Sequence, residues 1–288
     1  MRMLVAGSGG QLGRALAACV PAGAALLAPP EAEFDISDRE AIARVLAASR
    51  ADMLVNAAAY TAVDRAEEEP ERAMRLNGEA PGWLAEAARA ADMRFVHVST
   101  DFVFDGRAHL PYPPDAPPNP LGAYGATKLA GERAVRAADP DALILRTAWV
   151  YAARGQNFVA TMLRLMASRD EVRVVSDQVG TPTHAASLAR AIWALAARGA
   201  TGTLHWTDAG IASWYDFAVA IQEEALALGL LDRAVPVVPI ATEDYPTPAR
   251  RPHWSVLDKR ATFALIGPAR HWRVELREAL SSMRTTAP

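Results

Sequence analysis

Of the chain's 288 residues about half are apolar, and its acidic and basic residues are interspersed to a formal charge of −3. This fits one large α/β domain, or one domain with a smaller lobe, and the lack of a basic block excludes nucleic acid as a partner. A lone cysteine, Cys19, excludes an internal disulfide framework and reads as a buried structural thiol; Met1–Gly7 is too short for a signal peptide and no stretch reaches the ~20 apolar residues of a membrane span, so a soluble cytoplasmic protein is expected.

Taken in order, the first 150 residues alternate short apolar runs with amphipathic ones. Strands are predicted at Met3–Ala6, Ala25–Ala28, Asp52–Asn56, Phe95–Ser99 and Leu143–Thr147. Helices are predicted between them at Gln11–Cys19, Asp38–Ala48, Glu71–Ala91 and Tyr124–Ala138. This alternation predicts an α/β fold, a Rossmann-type doubly wound parallel sheet covered on both faces. Ligands in such sheets bind beyond the carboxyl ends of the strands. The stretch Leu110–Leu121 carries six prolines and is a loop that delivers the chain to Tyr124. Beyond it come helices at Asn157–Ser168, Ala185–Ala197 and Trp214–Gly229, strands at Val172–Val175 and Thr203–Trp206, and a second proline-rich loop at Pro246–Pro252. The expected division is a dinucleotide-binding domain of residues 1–150 with sheet elements around 170–200. Residues 151–168 and 205–288 form a smaller C-terminal substrate-binding lobe, and the tail after Met283 is expected to be disordered.

Gly7, Gly10 and Gly13 follow the first strand at three-residue spacing and open the first helix, with Gln11 and Leu12 between them. Glycines there allow a tight turn, close approach of a pyrophosphate and close helix–strand packing, and the helix N-terminus faces the phosphates. An acidic residue about 20 positions on would hold the ribose of NAD. The second strand instead ends Leu27-Ala28-Pro29-Pro30 before Glu31, with no arginine placed for a 2′-phosphate, so NADH and NADPH both stay open. Asp35 and Ile36 can meet the adenine, or belong to a helix cap before Asp38. Ala58 and Ala59 let a cofactor lie against the third strand's end, flanked by Tyr60 and Thr61; close packing of alanine against a helix is the alternative. Val98 and Thr100 end the fourth strand.

The chain has two lysines against 28 arginines, and one of the two, Lys128, stands four residues after Tyr124. That spacing alone arises by chance in about 4% of chains of this make-up. An ammonium is a compact charge where a guanidinium is a wide fork, so a lysine kept in this background marks a place where arginine does not serve. Both side chains lie on one helical face, and with the Thr100 hydroxyl they make a proton-relay constellation. A lysine beside a phenol favours the phenolate; bringing tyrosine about three pH units closer to neutrality takes roughly 4 kcal/mol. The other lysine, Lys259, reads as a solvated residue at a helix start. The six histidines do not cluster at ligand spacing, and no metal is assigned.

Over nearly its whole length the chain resembles the extended short-chain dehydrogenase/reductases, and within them the dTDP-4-dehydrorhamnose reductases. The resemblance is carried by Gly7–Gly13, Asn56–Asp64, Ser99–Phe104, Tyr124–Gly131, Arg146–Tyr151, Asn157-Phe158, Asp177–Thr183 and Tyr245–Pro252. It implies hydride transfer from a reduced nicotinamide, NADPH or NADH, to C4 of a 4-keto-6-deoxy dTDP-sugar. Tyr124 would protonate the incipient alkoxide, Thr100 would bond the carbonyl oxygen, and Lys128 would tune Tyr124 and hold the nicotinamide ribose. Trp149 would stack on the sugar, or else be a core tryptophan at a strand end. Asp101 would orient the sugar or the Tyr124 neighbourhood, and Asn157, Gln178, Thr183, Arg250 and Arg251 are candidates for the nucleotide part. Dehydratases of the superfamily follow the threonine with Asp-Glu; here Asp101 is followed by Phe102, and elimination lacks its acid–base pair. Some relatives bind magnesium at a dimer contact through a glutamate of the first helix, where this chain has Ala15; a homodimer is compatible with the resemblance. An epimerase or reductase acting on another 4-keto sugar nucleotide and a non-catalytic nucleotide-binding regulatory subunit are the alternatives.

Overall fold

A computed structural model describes residues 1–284. The expected disorder after Met283 therefore concerns residues that lie, except for Arg284, outside the described ones; Arg284 itself closes the last helix. Six parallel strands form the central sheet: β1 (Arg2–Ala6), β2 (Ala25–Leu27), β3 (Met53–Asn56), β4 (Arg94–Thr100), β5 (Leu143–Thr147) and β10 (Gly202–His205), in spatial order β10-β5-β4-β3-β1-β2. Leu4, Leu54 and Ile144 point to one face and Met3, Met53 and Leu145 to the other, all buried, as strands covered on both sides require.

One face is covered by α1 (Gln11–Ala18) and α8 (Ala185–Ala197), whose Leu12, Leu16, Leu188 and Ile192 share a core with β1 and β5. On the other lie α2 (Arg39–Ser49), α5 (Ala80–Ala90) and α6 (Ala123–Ala138). Asp38 caps α2 by accepting the Glu40 N–H at 2.8 Å. The predicted helix Glu71–Ala91 is broken. After the short α3 (Arg65–Glu68), α4 (Pro70–Met74) passes into a π-helical turn, Arg75–Glu79, before α5 begins. Pro81 has no N–H to return to Asn77, so the regular ladder cannot continue through that point. The Asn77 carbonyl oxygen sits 2.0 Å from where a Cβ on Gly131 would stand, so α6 packs against this turn only because residue 131 is glycine.

The lobe has its own apolar core around Met166, Phe217, Ile221 and Leu276. It is built from α7 (Phe158–Ser168), β7 (Val172–Val175), α9 (Trp214–Ala227), β12 (Val237–Ile240) and α11 (Trp272–Arg284). The two-residue strands β6 (Val150–Tyr151), β8 (Val179–Gly180), β9 (Thr183–His184) and β11 (Ala212–Ser213) stitch it to the rest in pairs β6–β9 and β8–β11. Two placements differ from expectation. β7 pairs with β12 and not with the central sheet, and α10 (Arg260–Ile266) packs on α8 and β10 although its number falls in the lobe's range. Lys259, expected in solvent, is largely buried at the start of α10. It donates to Thr207 Oγ1 at 3.0 Å and to the Asp208 carbonyl at 3.2 Å. Cys19 is half-buried just past α1, where burial pushes its thiol up. Among the described residues no helix is long and apolar enough to cross a membrane.

Candidate active site

At the carboxyl edge of the sheet a cavity of about 550 Å³ runs from the β1–α1 turn to the mouth of β4 and β5. Gly7 holds φ at +81°, and a Cβ on it would lie 2.6 Å from the Ala58 nitrogen. Gly13 lets α1 rest on the Gly7 carbonyl, where a Cβ would come within 2.3 Å. No side chain caps α1, so its first N–H groups face the cavity unclaimed by side chains. Ser8 donates to the Pro29 carbonyl at 2.6 Å and ties this turn to the end of β2. Gly7, Gly10, Gln11, Leu12, Asp35, Ile36, Ala58, Ala59, Thr61 and Val98 all line the cavity. Asp35 accepts the Ser37 N–H at 2.8 Å, so it shapes its own turn and leaves the capping of α2 to Asp38. A helix N-terminus without a side-chain cap, an apolar wall of Ala57–Ala59 and no cationic lining before Lys128 fit a dinucleotide whose diphosphate is held by backbone N–H groups.

Tyr60 departs from expectation. Its backbone N–H donates to Asn77 Oδ1 at 2.8 Å and its carbonyl accepts from Asn77 Nδ2 at 3.0 Å. That clamp sends the ring away from the cavity, against Ala66 and Ala73 and under the Arg72 guanidinium. The same Asn77 amide reaches Thr127 Oγ1 at 3.4 Å, so one side chain sets the loop after β3 against α6.

Thr100, Asp101, Tyr124 and Lys128 meet on the cavity wall. The Thr100 hydroxyl donates to Asp101 Oδ1 at 3.0 Å and accepts the Phe102 N–H at 3.2 Å. Burial pushes the Asp101 carboxyl up to about 6. Glu67 caps α6 by accepting the Ala123 N–H at 2.7 Å and so fixes the turn that carries Tyr124. The Phe102 ring meets the Tyr124 ring edge-on at 5.4 Å. Burial pushes the Tyr124 phenol up to about 12, Asp101 adding to the rise and Thr100 opposing it. The expected lowering by Lys128 is therefore not seen. The Lys128 ammonium turns into the sheet, donating to the Val98 carbonyl at 2.7 Å, with His97 Nε2 at 3.5 Å. Burial pulls Lys128 down to about 8.

Trp149 lines this cavity and a second one of about 780 Å³ in the lobe. Its φ is +49°, in the left-handed region, and the Thr183 N–H holds its carbonyl at 3.1 Å. One indole face is stacked on Trp214 at 3.5 Å between centroids. Gln178 and Arg251 line the second cavity. Gln178 donates to Thr242 Oγ1 at 3.1 Å, and Arg251 pairs with both Asp64 oxygens at 3.0 and 2.8 Å. Asn157, Thr183 and Arg250 line neither cavity. Asn157 caps α7 and donates to Gln11 Oε1 at 2.8 Å, Thr183 is fully buried in β9, and Arg250 is exposed. His97, Asn77, Glu67 and Trp214 were missed. A histidine inside the buried strand Phe95–Ser99 is a readable signal, since such a strand is otherwise apolar; for Trp214 the sequence offers none.

A glycine turn at a helix N-terminus and a Thr–Tyr–Lys set on one parallel-sheet edge define an extended short-chain dehydrogenase/reductase, an oxidoreductase. The family model described as RmlD substrate binding domain matches residues 1–285. The dTDP-4-dehydrorhamnose reductase of Mycolicibacterium smegmatis is 42% identical over 287 residues, which is 98% of this chain and 86% of that protein. A solved dTDP-4-dehydrorhamnose reductase from Clostridium acetobutylicum superposes with a TM-score of 0.91 at 39% identity, over 99% of this chain and 100% of the other. Another, from Bacillus anthracis in complex with NADP, gives 0.90 at 32% identity, over 98% of this chain and 99% of the other. The chain belongs to the dTDP-4-dehydrorhamnose reductase family.

Proposed function

We propose that the protein reduces the C4 ketone of dTDP-4-dehydrorhamnose to the alcohol of dTDP-L-rhamnose, with NADPH, or NADH in its place, as reductant. The observation that carries this reading is that Thr100, Tyr124 and Lys128 border the same cavity as the Gly7–Gln11 turn. Gly7, Gly10 and the first N–H groups of α1 would hold the diphosphate, and Asp35 and Ile36 the adenine end. Bound there, the reduced nicotinamide supplies the hydride. The Thr100 hydroxyl would hold the ketone oxygen, and Tyr124 would give that oxygen its proton. A phenol pushed up to about 12 keeps its proton across the working range, the state a donor needs. Its proton becomes transferable only as negative charge develops on the substrate oxygen beside it. Phe102 packs on Tyr124 in the place where a dehydratase has its glutamate, which supports reduction over elimination.

The second cavity, with Gln178 and Arg251, would take the nucleotide, and Trp149 with Trp214 stands between it and the first. All these residues come from one chain, so the reading needs no partner subunit, and the cytoplasm is its expected setting. Mixing the protein with dTDP-4-dehydro-6-deoxy-L-mannose and following the absorbance of NADPH, then NADH, tests the proposal. Oxidation yielding dTDP-L-rhamnose is expected. No oxidation with either cofactor would sink it, and cofactor binding without turnover on a panel of keto sugars would favour a regulatory subunit.

A further inference from the structure

His97 lies in β4, fully buried, and the sheet register sets it beside Asn56 of β3. Asn56 Oδ1 accepts the Ala58 N–H at 3.1 Å, which turns Asn56 Nδ2 toward His97 Nδ1 at 3.2 Å. An amide NH2 only donates, so Nδ1 is the acceptor and the neutral ring carries its hydrogen on Nε2. Burial first, and the charge of Lys128 second, hold the ring's pKa well below the usual histidine value, so the ring is neutral. Nε2 faces Lys128 Nζ at 3.5 Å, while Nζ donates to the Val98 carbonyl at 2.7 Å. An ammonium there meets a second donor, and the 3.5 Å spacing is longer than a hydrogen bond between the two would be. A neutral amine would instead offer a lone pair to the ring N–H.

We propose that Asn56 and His97 are a positioning pair for Lys128: by presenting a ring N–H in place of a lone pair, they bias its side chain to release a proton under working conditions. This rests on the reading that Lys128 serves the proton chemistry of Tyr124, and it changes the part Lys128 plays. The lysine exchanges protons in place of standing as a fixed cation, which a guanidinium, never deprotonated in proteins, cannot do. The other groups acting on Lys128 are few. Glu132 on its own helix draws its pKa upward against the effect of burial. Glu132 is itself held by both arms of Arg146 from β5 at 2.9 and 2.7 Å. Tyr124 on the same helix and Asp101 beyond β4 border the same cavity.

The two-lysine composition makes the test direct, because protein labelled with carbon-13 at lysine Cε gives two resonances and a Lys259→Arg sample assigns them. In the wild-type protein, nitrogen-15 spectra of His97 should show the neutral Nε2–H form at neutral pH, and Lys128 should titrate at about 8. In Asn56→Asp the carboxylate accepts from Nδ1, the ring hydrogen leaves Nε2, and the Lys128 ammonium becomes at least about tenfold less acidic. An Nδ1–H ring in the wild type, or the same Lys128 titration in both proteins, would overturn the proposal. If Asn56→Asp does not fold, the wild-type ring form decides alone. None of these readouts needs turnover, so their failure is distinct from failure of the reductase reading.

Discussion

The two cavities are built in opposite ways. The one at the sheet edge is lined by backbone, small residues and a few polar groups on adjacent strand ends, and its cation is buried and turned inward. The one in the lobe draws on α7, β7, β12 and the 245–255 loop, is rich in arginine, and its Arg251 is already paired with Asp64. Sheet register fixes the backbone of the first, since Asn56, His97 and Val98 cannot shift without breaking the ladder. Side-chain pairs between loops fix the second. A chemical step that demands alignment belongs to the first kind of site, and binding a large anionic group is within reach of the second.

That contrast can be broken at several points. After loss of the Tyr124 hydroxyl, Lys128→Arg should cost the most, lowering kcat by about a hundredfold, because a permanent guanidinium replaces a group that gains and loses a proton; full activity with an unchanged pH profile contradicts the account. Glu132→Ala should leave Arg146 as an unpaired buried charge and lower stability by about 3–5 kcal/mol, read from the denaturant midpoint. Arg251→Ala should raise KM for the dTDP-sugar by about tenfold with kcat nearly kept, whereas Arg250→Ala, exposed and outside both cavities, should leave KM within about twofold. A last effect concerns the pH profile of stability and Asp208, whose carboxyl burial pushes up to about 7. Its native form binds a proton that the unfolded chain has released, so stability should fall as pH rises from about 4 to 7. Asp208→Asn should flatten that fall; an unchanged slope in thermal melts sinks the assignment.

The sheet and the first cavity were largely readable because their signals are local. An apolar run, a glycine turn and a Tyr-X-X-X-Lys helix face each lie within a dozen residues. Leu143–Thr147, Val172–Val175 and Ala185–Ala197 match their observed bounds, and the other predicted elements lie within two residues except for the broken helix at 71–91; β12 and α11 were not predicted. What was not legible depends on distant partners. Pro81 signals an interruption, but a π turn needs Gly131 to receive it. Tyr60 reads as a cavity residue until Asn77 clamps its backbone. Asn157 looks like a substrate contact until Gln11, from the far end of the chain, takes its amide. Lys259 follows an aspartate as a surface lysine would, and only the fold brings Thr207 and Asp208 over its ammonium. The same limit hid the direction of Lys128, since helical spacing puts it near Tyr124 but not which carbonyl it seeks.

The central claim is that Tyr124 delivers the proton to the substrate oxygen, and Tyr124→Phe tests it most directly. The ring, its edge contact with Phe102 and the cavity wall are kept while the proton is lost. The account predicts that the variant binds NADPH about as well as the wild type does and that its turnover of dTDP-4-dehydrorhamnose drops by about 10²–10⁴-fold. A Tyr124→Phe protein that oxidises NADPH at the wild-type rate would contradict it.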